Sequence, residues 1–230
     1  APPETKTVDS VDVYHGTRVP DPYRWLEEID SEATRQWAQQ QNAHTQQHLR
    51  RISERERIGE RLQALWDYPK YGVPQRKGGY RYHTENSGLQ NHAVVYVQPT
   101  EGDAEPRVLF DPNAWSEAGT VSLSAFAPGP NGKYVAYGKS EGGSDWKTLY
   151  VHSLESGTAL SDTLKWVKFS NPTWTADGEG FYYGRYPAPK EGDEYEDETK
   201  AQKIYYHEVG TPQSDDRLVY ERPENPKLGF

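Results

Sequence analysis

The 230-residue sequence contains no cysteine, which excludes disulfide bonds and thiolate chemistry. It also has no uninterrupted run of about 18 apolar residues, so we expect no membrane-spanning helix. Lys and Arg number 26 against 35 Asp and Glu. The resulting net charge of −9 argues against a nucleic-acid-binding protein, which needs a basic face. The first residues, APPET, include no methionine and no apolar signal region, which leaves the compartment open between cytoplasm and bacterial periplasm.

Aromatic and turn-forming residues, in contrast, are abundant. The chain has 17 Tyr and 7 Trp, together with 20 Gly and 17 Pro. Rings must therefore supply much of the core, and frequent turns favour short strands over long helices.

The first 67 residues are predicted to be helical. Asp21 and Pro22 suit the start of a helix, and apolar residues then recur at helical spacing, which predicts two helical segments between Pro22 and Leu49. Ser53 and Glu56 form a capping-box pattern ahead of a second apolar stripe. Both stripes are too thin to form a core, so we expect this segment, residues 1–69, to pack on another domain.

From Tyr71 onwards the sequence alternates and repeats. Equivalent rings at Tyr80, Tyr134 and Phe181 are 54 and 47 residues apart, and those at Tyr96, Tyr150 and Tyr205 are 54 and 55 apart. Four short strands in each unit of about 50 residues are typical of propeller blades, with a β-sandwich as the alternative. We therefore predict a mainly β fold with three blades and the start of a fourth in residues 70–230. Because three blades cannot close a ring, we expect the chain to be part of a longer protein.

In such a blade, the loop between the second and third strands and the link to the next blade emerge on one face. The three predicted loops are Asn86–Asn91, Ser140–Asp145 and Pro187–Lys200, and Phe169 belongs to the same face. The third loop is eight residues longer and strongly acidic. We predict a solvated loop there, with steering of cationic peptides or contact with the other domain as the alternatives.

The sequence offers no catalytic or metal site of its own. It has no G-x-S-x-G nucleophile elbow, and Ser144 in GGSDW is interpreted as a loop residue. His44 and His48 have chelating spacing but no third ligand nearby, and His207 is interpreted as the end of a strand. We expect neither a metal nor a cofactor.

Several motifs together resemble the N-terminal part of the prolyl oligopeptidase family of serine peptidases. They are YHGTRVPDPYRWLEE, DYPKYGVPQRKGGYRYHTENSGLQN, LFDPNAWSEAGTVSL, GGSDW and VKFSNPTWTADGEGFYYGRY. The resemblance implies a seven-bladed propeller over an α/β-hydrolase domain, with the helical segment packed on the hydrolase. It implies hydrolysis of short peptides after proline by a catalytic triad that lies outside these 230 residues.

The resemblance also assigns two substrate-binding residues. Asp145 in the GSDW loop would attract the cationic amino terminus of a peptide, and Phe169 in VKFS would pack on a substrate side chain. The alternatives are a turn-stabilising aspartate and an apolar plug between blades. Two rival functions stay open: a non-catalytic propeller that binds a protein or peptide, and an oligopeptidase specific for basic residues, which the acidic loop would suit. The expected partners are short proline-containing peptides, the rest of the propeller and the hydrolase domain.

Overall fold

The computed structural model describes residues 2–190 and 199–230. The chain divides into two compact units, Ala1–Trp66 and Asp67–Phe230. Most of the predicted acidic loop, residues 191–198, lies outside the described residues.

The first unit begins with a β-hairpin, which corrects the prediction that residues 1–67 are helical. Strand β1 (Val11–Tyr14) pairs with β2 (Thr17–Pro20) in antiparallel register. The two turn residues, His15 and Gly16, both have positive φ, 51° and 82°. Such a two-residue turn matches the twist of the strands it joins, and His-Gly is an unusual form of its common Asn-Gly sequence. The pattern was missed because β-branched residues alternate here over only four positions in each strand.

Two helical segments lie between Pro22 and Leu49, as predicted. The 3₁₀ helix Arg24–Glu27 starts two residues later than Pro22, because Asp21 Oδ1 accepts a hydrogen bond from the Tyr23 N–H (3.1 Å) and forms a turn there. Helix α1 (Glu32–Leu49) begins after Ser31, whose hydroxyl accepts from the Thr34 N–H.

Helix α2 (Arg55–Trp66) follows α1 and begins one residue later than the capping box predicted. The Glu54 carbonyl accepts the first helical hydrogen bond, from the Ile58 N–H. The Ser53 side chain hydrogen-bonds to the Glu54 carboxylate instead and lowers the pKa of that group.

The indole nitrogens near the start of the chain are held by its first residues. Trp25 Nε1 donates to the Lys6 carbonyl (2.9 Å), and Trp37 Nε1 donates to Thr5 Oγ1 (3.0 Å). No residue of the three helical segments is fully buried in the described chain. The packing of these segments on a further domain therefore stays a prediction.

The second unit contains three antiparallel sheets that follow one another along the chain, each with its strands in sequence order. In the first sheet, β3 (Lys70–Tyr71) and β4 (Gln75–Lys77) both pair with β5, which is followed by β6 and β7. The other strands of the first sheet are β5 (Tyr80–Asn86), β6 (Val94–Pro99) and β7 (Arg107–Phe110). The second sheet contains β8 (Val121–Pro128), β9 (Tyr134–Glu141), β10 (Lys147–Ser153) and β11 (Thr158–Val167). The third contains β12 (Thr173–Trp174), β13 (Gly180–Arg185), β14 (Lys203–Glu208) and β15 (Arg217–Tyr220).

These three sheets are the predicted blades, and the repeat in the sequence is confirmed. The 3₁₀ turns Pro112–Ala114 and Gln213–Asp215 precede β8 and β15. The fourth strand of the second blade, which the sequence presents weakly, runs for ten residues. Glycine is required where the first two blades approach at their turns, because a Cβ on Gly132 would lie 2.1 Å from the Gly78 carbonyl oxygen.

The core lies between the blades. Successive residues of a strand point to opposite faces of its sheet. Aromatic and aliphatic side chains at alternate positions therefore lie on the same face. The first two blades meet through Tyr82, Val95, Val97, Leu109, Phe110, Val135, Tyr137 and Leu154. The second and third blades meet through Ala125, Ala136, Leu149, Val151, Leu164, Val167, Phe181 and Tyr183.

Candidate functional site

The connections between second and third strands lie against the links that lead to the next blade. In the first blade, the backbone N–H and C=O of His92 both hydrogen-bond to the Asn113 side chain (3.0 Å each) in the link to β8. In the second blade, Lys168 of the link to β12 lines a cleft of about 600 Å³ together with residues 141–145. The two predicted site residues, Asp145 and Phe169, therefore belong to adjacent segments at one end of the second blade.

Asp145 lies on a tight loop with its side chain exposed. Gly142 and Gly143 have positive φ (59° and 77°), and the Ser144 N–H bonds to the Glu141 carbonyl (3.0 Å). The Ser144 hydroxyl accepts from the Trp146 N–H (3.1 Å), which gives this serine the loop role that was predicted. The loop thus holds the Asp145 carboxylate at the surface.

Phe169 is presented to solvent by a strained backbone. Its side chain is 65% exposed, and its φ of +52° is rare for a bulky residue. An exposed phenylalanine does not fill an interior gap of the described chain, so the alternative of an apolar plug between these blades does not fit. Non-glycine residues in the left-handed region persist where neighbouring contacts hold them, and they are frequent at functional sites.

Three hydrogen bonds hold the residues on either side of Phe169. Lys147 Nζ donates to the Ser170 carbonyl (3.1 Å), and the Gly184 N–H donates to Ser170 Oγ (2.7 Å). Gln202 Nε2 donates to the Lys168 carbonyl (3.3 Å). The ring is therefore exposed on a segment that is hydrogen-bonded on both sides of it, the Phe169 connection (residues 168–172).

Aromatic rings stand behind the Asp145 loop. The Trp146 ring meets Trp166 edge-on at a centroid distance of 5.7 Å and Tyr186 at 6.2 Å. Lys168 Nζ lies 3.9 Å from the centre of the Trp146 ring, a cation–π contact. This contact joins the Asp145 loop to the Phe169 connection.

Lys147 interacts with Asp145 and with the residue that follows Phe169. Its ammonium also donates to the Ser124 carbonyl (3.4 Å) on β8. Burial lowers the pKa of Lys147, and the negative charge of Asp145 partly opposes that shift. The lysine is therefore electrostatically linked to Asp145 and hydrogen-bonded to the Phe169 connection.

A buried charged cluster joins the second and third blades, and sequence reasoning missed it. His207 on β14 lies between Asp162 of β11 (Nε2 to Oδ1, 2.9 Å) and Asp216 (Nδ1 to Oδ1, 2.7 Å). Gly210 N–H donates to Asp162 Oδ1 (2.7 Å), and the Tyr183 hydroxyl donates to Asp216 Oδ2. All three charged side chains are inaccessible to solvent, so the cluster is a structural contact between the two blades and cannot touch a ligand from outside.

The pKa values of His207 and Asp162 are both displaced. Burial opposes protonation of His207, but hydrogen bonds to the two carboxylates and their charges outweigh it and raise the pKa of His207 to about 9. Burial likewise raises the pKa of Asp162, but the His207 and Gly210 hydrogen bonds outweigh it and the net shift is downward. A signal existed in the sequence, since Asp162 occupies the same strand face as Leu160 and Leu164, where an apolar residue is expected.

Among the described residues, no group of three or more His, Asp or Glu side chains is arranged so that it could hold a metal ion. His44 and His48 lie on α1, half-buried and exposed respectively. Across residues 2–190 and 199–230, the helices are too short or too polar to cross a membrane.

Comparison with known proteins gives consistent results. The family model described as "Prolyl oligopeptidase, N-terminal beta-propeller domain" matches residues 2–230. A prolyl endopeptidase of Elizabethkingia meningoseptica is 42% identical over 98% of this chain, and prolyl oligopeptidase A of Amanita bisporigera is 37% identical over 99%. The chain spans 32% and 34% of those two proteins.

A solved structure shares both the fold and the sequence pattern. Prolyl oligopeptidase B of Galerina marginata, bound to a 35mer hydrolysis and macrocyclization substrate, matches with a TM-score of 0.79 and 33% identity. The match covers 97% of this chain and 34% of that one.

Proposed function

Because the chain belongs to the prolyl oligopeptidase family, whose N-terminal β-propeller domain it matches over residues 2–230, we propose that it is the substrate-admitting part of an enzyme that hydrolyses short peptides after proline. The observation that carries this proposal is the pair of Asp145 and Phe169 on adjacent segments at one end of a blade. An exposed carboxylate and an exposed, anchored ring together suit a peptide with a cationic amino terminus and an apolar side chain.

In this proposal the two residues act differently. Asp145 attracts the cationic amino terminus of the peptide at long range. Salt screens this attraction, and the Debye length at 0.1 M is about 10 Å. Phe169 packs on an apolar side chain two or three residues before the scissile bond. Its exposed ring loses water contacts when it does so, which favours bulky apolar residues at that position.

The bond-breaking groups belong to a hydrolase domain in the same polypeptide. A serine nucleophile, activated by a histidine, forms the acyl-enzyme and releases the downstream peptide. The propeller contributes size selection, since a closed ring admits a flexible peptide and excludes a folded protein.

Exposed apolar surface supports the presence of such partners for both units. On α2 the exposed residues are Ile58, Leu62, Leu65 and Trp66, and on the last described strand they are Leu218, Val219 and Tyr220. We expect the first group to pack on the hydrolase domain, with residues 1–69 as its tether. Successive residues of a strand face opposite sides, so those of the second group that lie on the outer face of the third blade would pack on a fourth blade, which extends the propeller that residues 70–230 begin.

The test compares two fluorogenic amides, one ending in Gly-Pro and one in Arg-Arg, with the full-length protein purified at its natural length. Rapid cleavage of the first alone is the expected result. Preferential cleavage of the Arg-Arg amide would instead support an oligopeptidase specific for basic residues. Binding of either peptide without hydrolysis, by a native species near 26 kDa, the mass of this chain, would support a non-catalytic propeller.

A further inference from the structure

Phe169 has a left-handed backbone conformation, and its ring is nevertheless exposed to solvent. None of the three hydrogen bonds that hold this connection involves an atom of Phe169 itself. The position of the ring therefore depends on neighbours of Phe169 in sequence, and through them on the residues that donate to these neighbours.

Lys147 differs from the other two donors because it is charged. Its ammonium spans from the Ser124 carbonyl, on the first strand of the second blade, to the Ser170 carbonyl, in the link to the third. Hydrogen bonds from a charged donor are about twice as strong as those from a neutral one. The lysine thus fixes the distance between the Phe169 connection and the blade that carries Asp145.

We propose that Lys147 is a positioning residue that holds Phe169 against substrate and thereby sets the selectivity for a bulky apolar residue at the third position before the cleaved bond. This inference rests on the proposed function. Lys147 need not touch the peptide, because it acts through the Ser170 carbonyl and the backbone of the Phe169 connection.

The test uses the full-length protein and two amino-blocked substrates, the 4-nitroanilides of acetyl-Phe-Gly-Pro and acetyl-Gly-Gly-Pro. Blocking removes the attraction of Asp145 for a free amino terminus. Lys147→Met should reduce the preference for the Phe peptide by about tenfold, which corresponds to losing one well-made apolar contact. The loss should appear in KM more than in kcat, and the Gly peptide should be cleaved as before.

Four further variants distinguish a loss of positioning from a general loss of structure. Lys147→Arg keeps a charged donor and should restore the preference. Lys165→Met removes a lysine with an exposed side chain from the neighbouring strand and should leave the preference unchanged. Phe169→Ala should abolish the preference, and adding Lys147→Met to it should cause no further loss.

A second measurement does not depend on the peptidase activity of the protein itself. Chymotrypsin cuts after exposed phenylalanine in mobile segments, so Lys147→Met should be cut after Phe169 several-fold faster than the wild type, as followed by mass spectrometry. The inference is overturned by an unchanged Phe-to-Gly preference, by equal loss for both peptides, or by equal chymotryptic rates. A wild-type protein that cleaves neither peptide contradicts the proposed function, and the chymotryptic rates then decide whether Lys147 holds the connection.

Discussion

His207 Nε2 in the third blade lies 2.9 Å from Asp162 Oδ1 in the second, and both side chains are fully buried. The pair joins two sheets through β11 and β14, beside the apolar core that lies between the same two blades. A buried ion pair contributes little beyond an apolar contact of equal volume, but removing one partner leaves an uncompensated charge. The cluster therefore makes the docking of the third blade sensitive to changes at either residue.

Replacing Asp162 should be severely destabilising. Asp162→Ala leaves the protonated His207 with one carboxylate and the Gly210 N–H without its acceptor, for an expected cost of about 3–5 kcal/mol. Urea unfolding of the full-length protein, followed by tryptophan fluorescence, measures the loss. Asp145→Ala is the matched control, since it removes an exposed carboxylate from the same blade and should change stability by less than about 0.5 kcal/mol. Equal costs for the two variants would contradict a structural role for the cluster.

The same cluster predicts how stability changes with pH. The pKa of His207 is raised from its ordinary value of 6.5 to about 9, so its contribution is complete below pH 6.5 and is lost as the pH rises through 9. The pKa of Asp162 is lowered from 3.8, so its contribution is present above pH 3.8 and is lost as the pH falls through the lower folded value. Urea midpoints should therefore decline between pH 6.5 and 9.

His207→Gln provides the comparison for the alkaline decline. The variant should be less stable at every pH in this range, but its midpoint should fall less between pH 6.5 and 9, because glutamine does not titrate. Parallel pH profiles for the two proteins would show that another group is responsible.

The extent to which sequence predicted structure differs between the two units. Strong alternation of rings around Tyr82, Tyr137 and Tyr183 predicted the blades, because the buried face of a strand consists mostly of apolar residues. The hairpin at His15 was missed because each of its strands has only four residues, none of them fully buried. Local patterns do not indicate which long-range partner holds a strand of that kind.

The candidate site was only partly predictable. A family resemblance identified Asp145 and Phe169, and the blade geometry predicted their common face. The hydrogen bonds of Lys147 could not be predicted, since they join Ser124 and Ser170, which are 46 residues apart in the sequence. The His207 cluster shows the same limit, because its partners lie 45 and 9 residues away.

Asp145 should affect only substrates with a charged amino terminus. Asp145→Asn in the full-length protein is expected to lower kcat/KM for unblocked proline peptides several-fold at low salt, while leaving acetylated ones unchanged. The difference should shrink as salt rises from 20 to 500 mM, because the Debye length falls from about 20 Å to about 4 Å. Asp103→Asn is a suitable control, since this exposed aspartate lies on the loop between β6 and β7, at the opposite end of its blade. An equal loss for blocked and unblocked peptides would count against the electrostatic role.

Replacing Phe169 should affect the stability of the protein and its substrate selectivity in different ways. Its φ of +52° is unfavourable for any residue with a Cβ by about 1–2 kcal/mol, and the exposed ring recovers little of that by burial. Phe169→Gly should therefore be more stable than Phe169→Ala by about 1 kcal/mol, although both variants remove the ring and should lose preference for bulky apolar substrates equally. Stability is measured by urea unfolding and preference by the pair of blocked nitroanilides. If glycine gives no stabilisation over alanine, the backbone at this position is unstrained; if alanine retains the preference for the Phe peptide, the ring does not contact substrate.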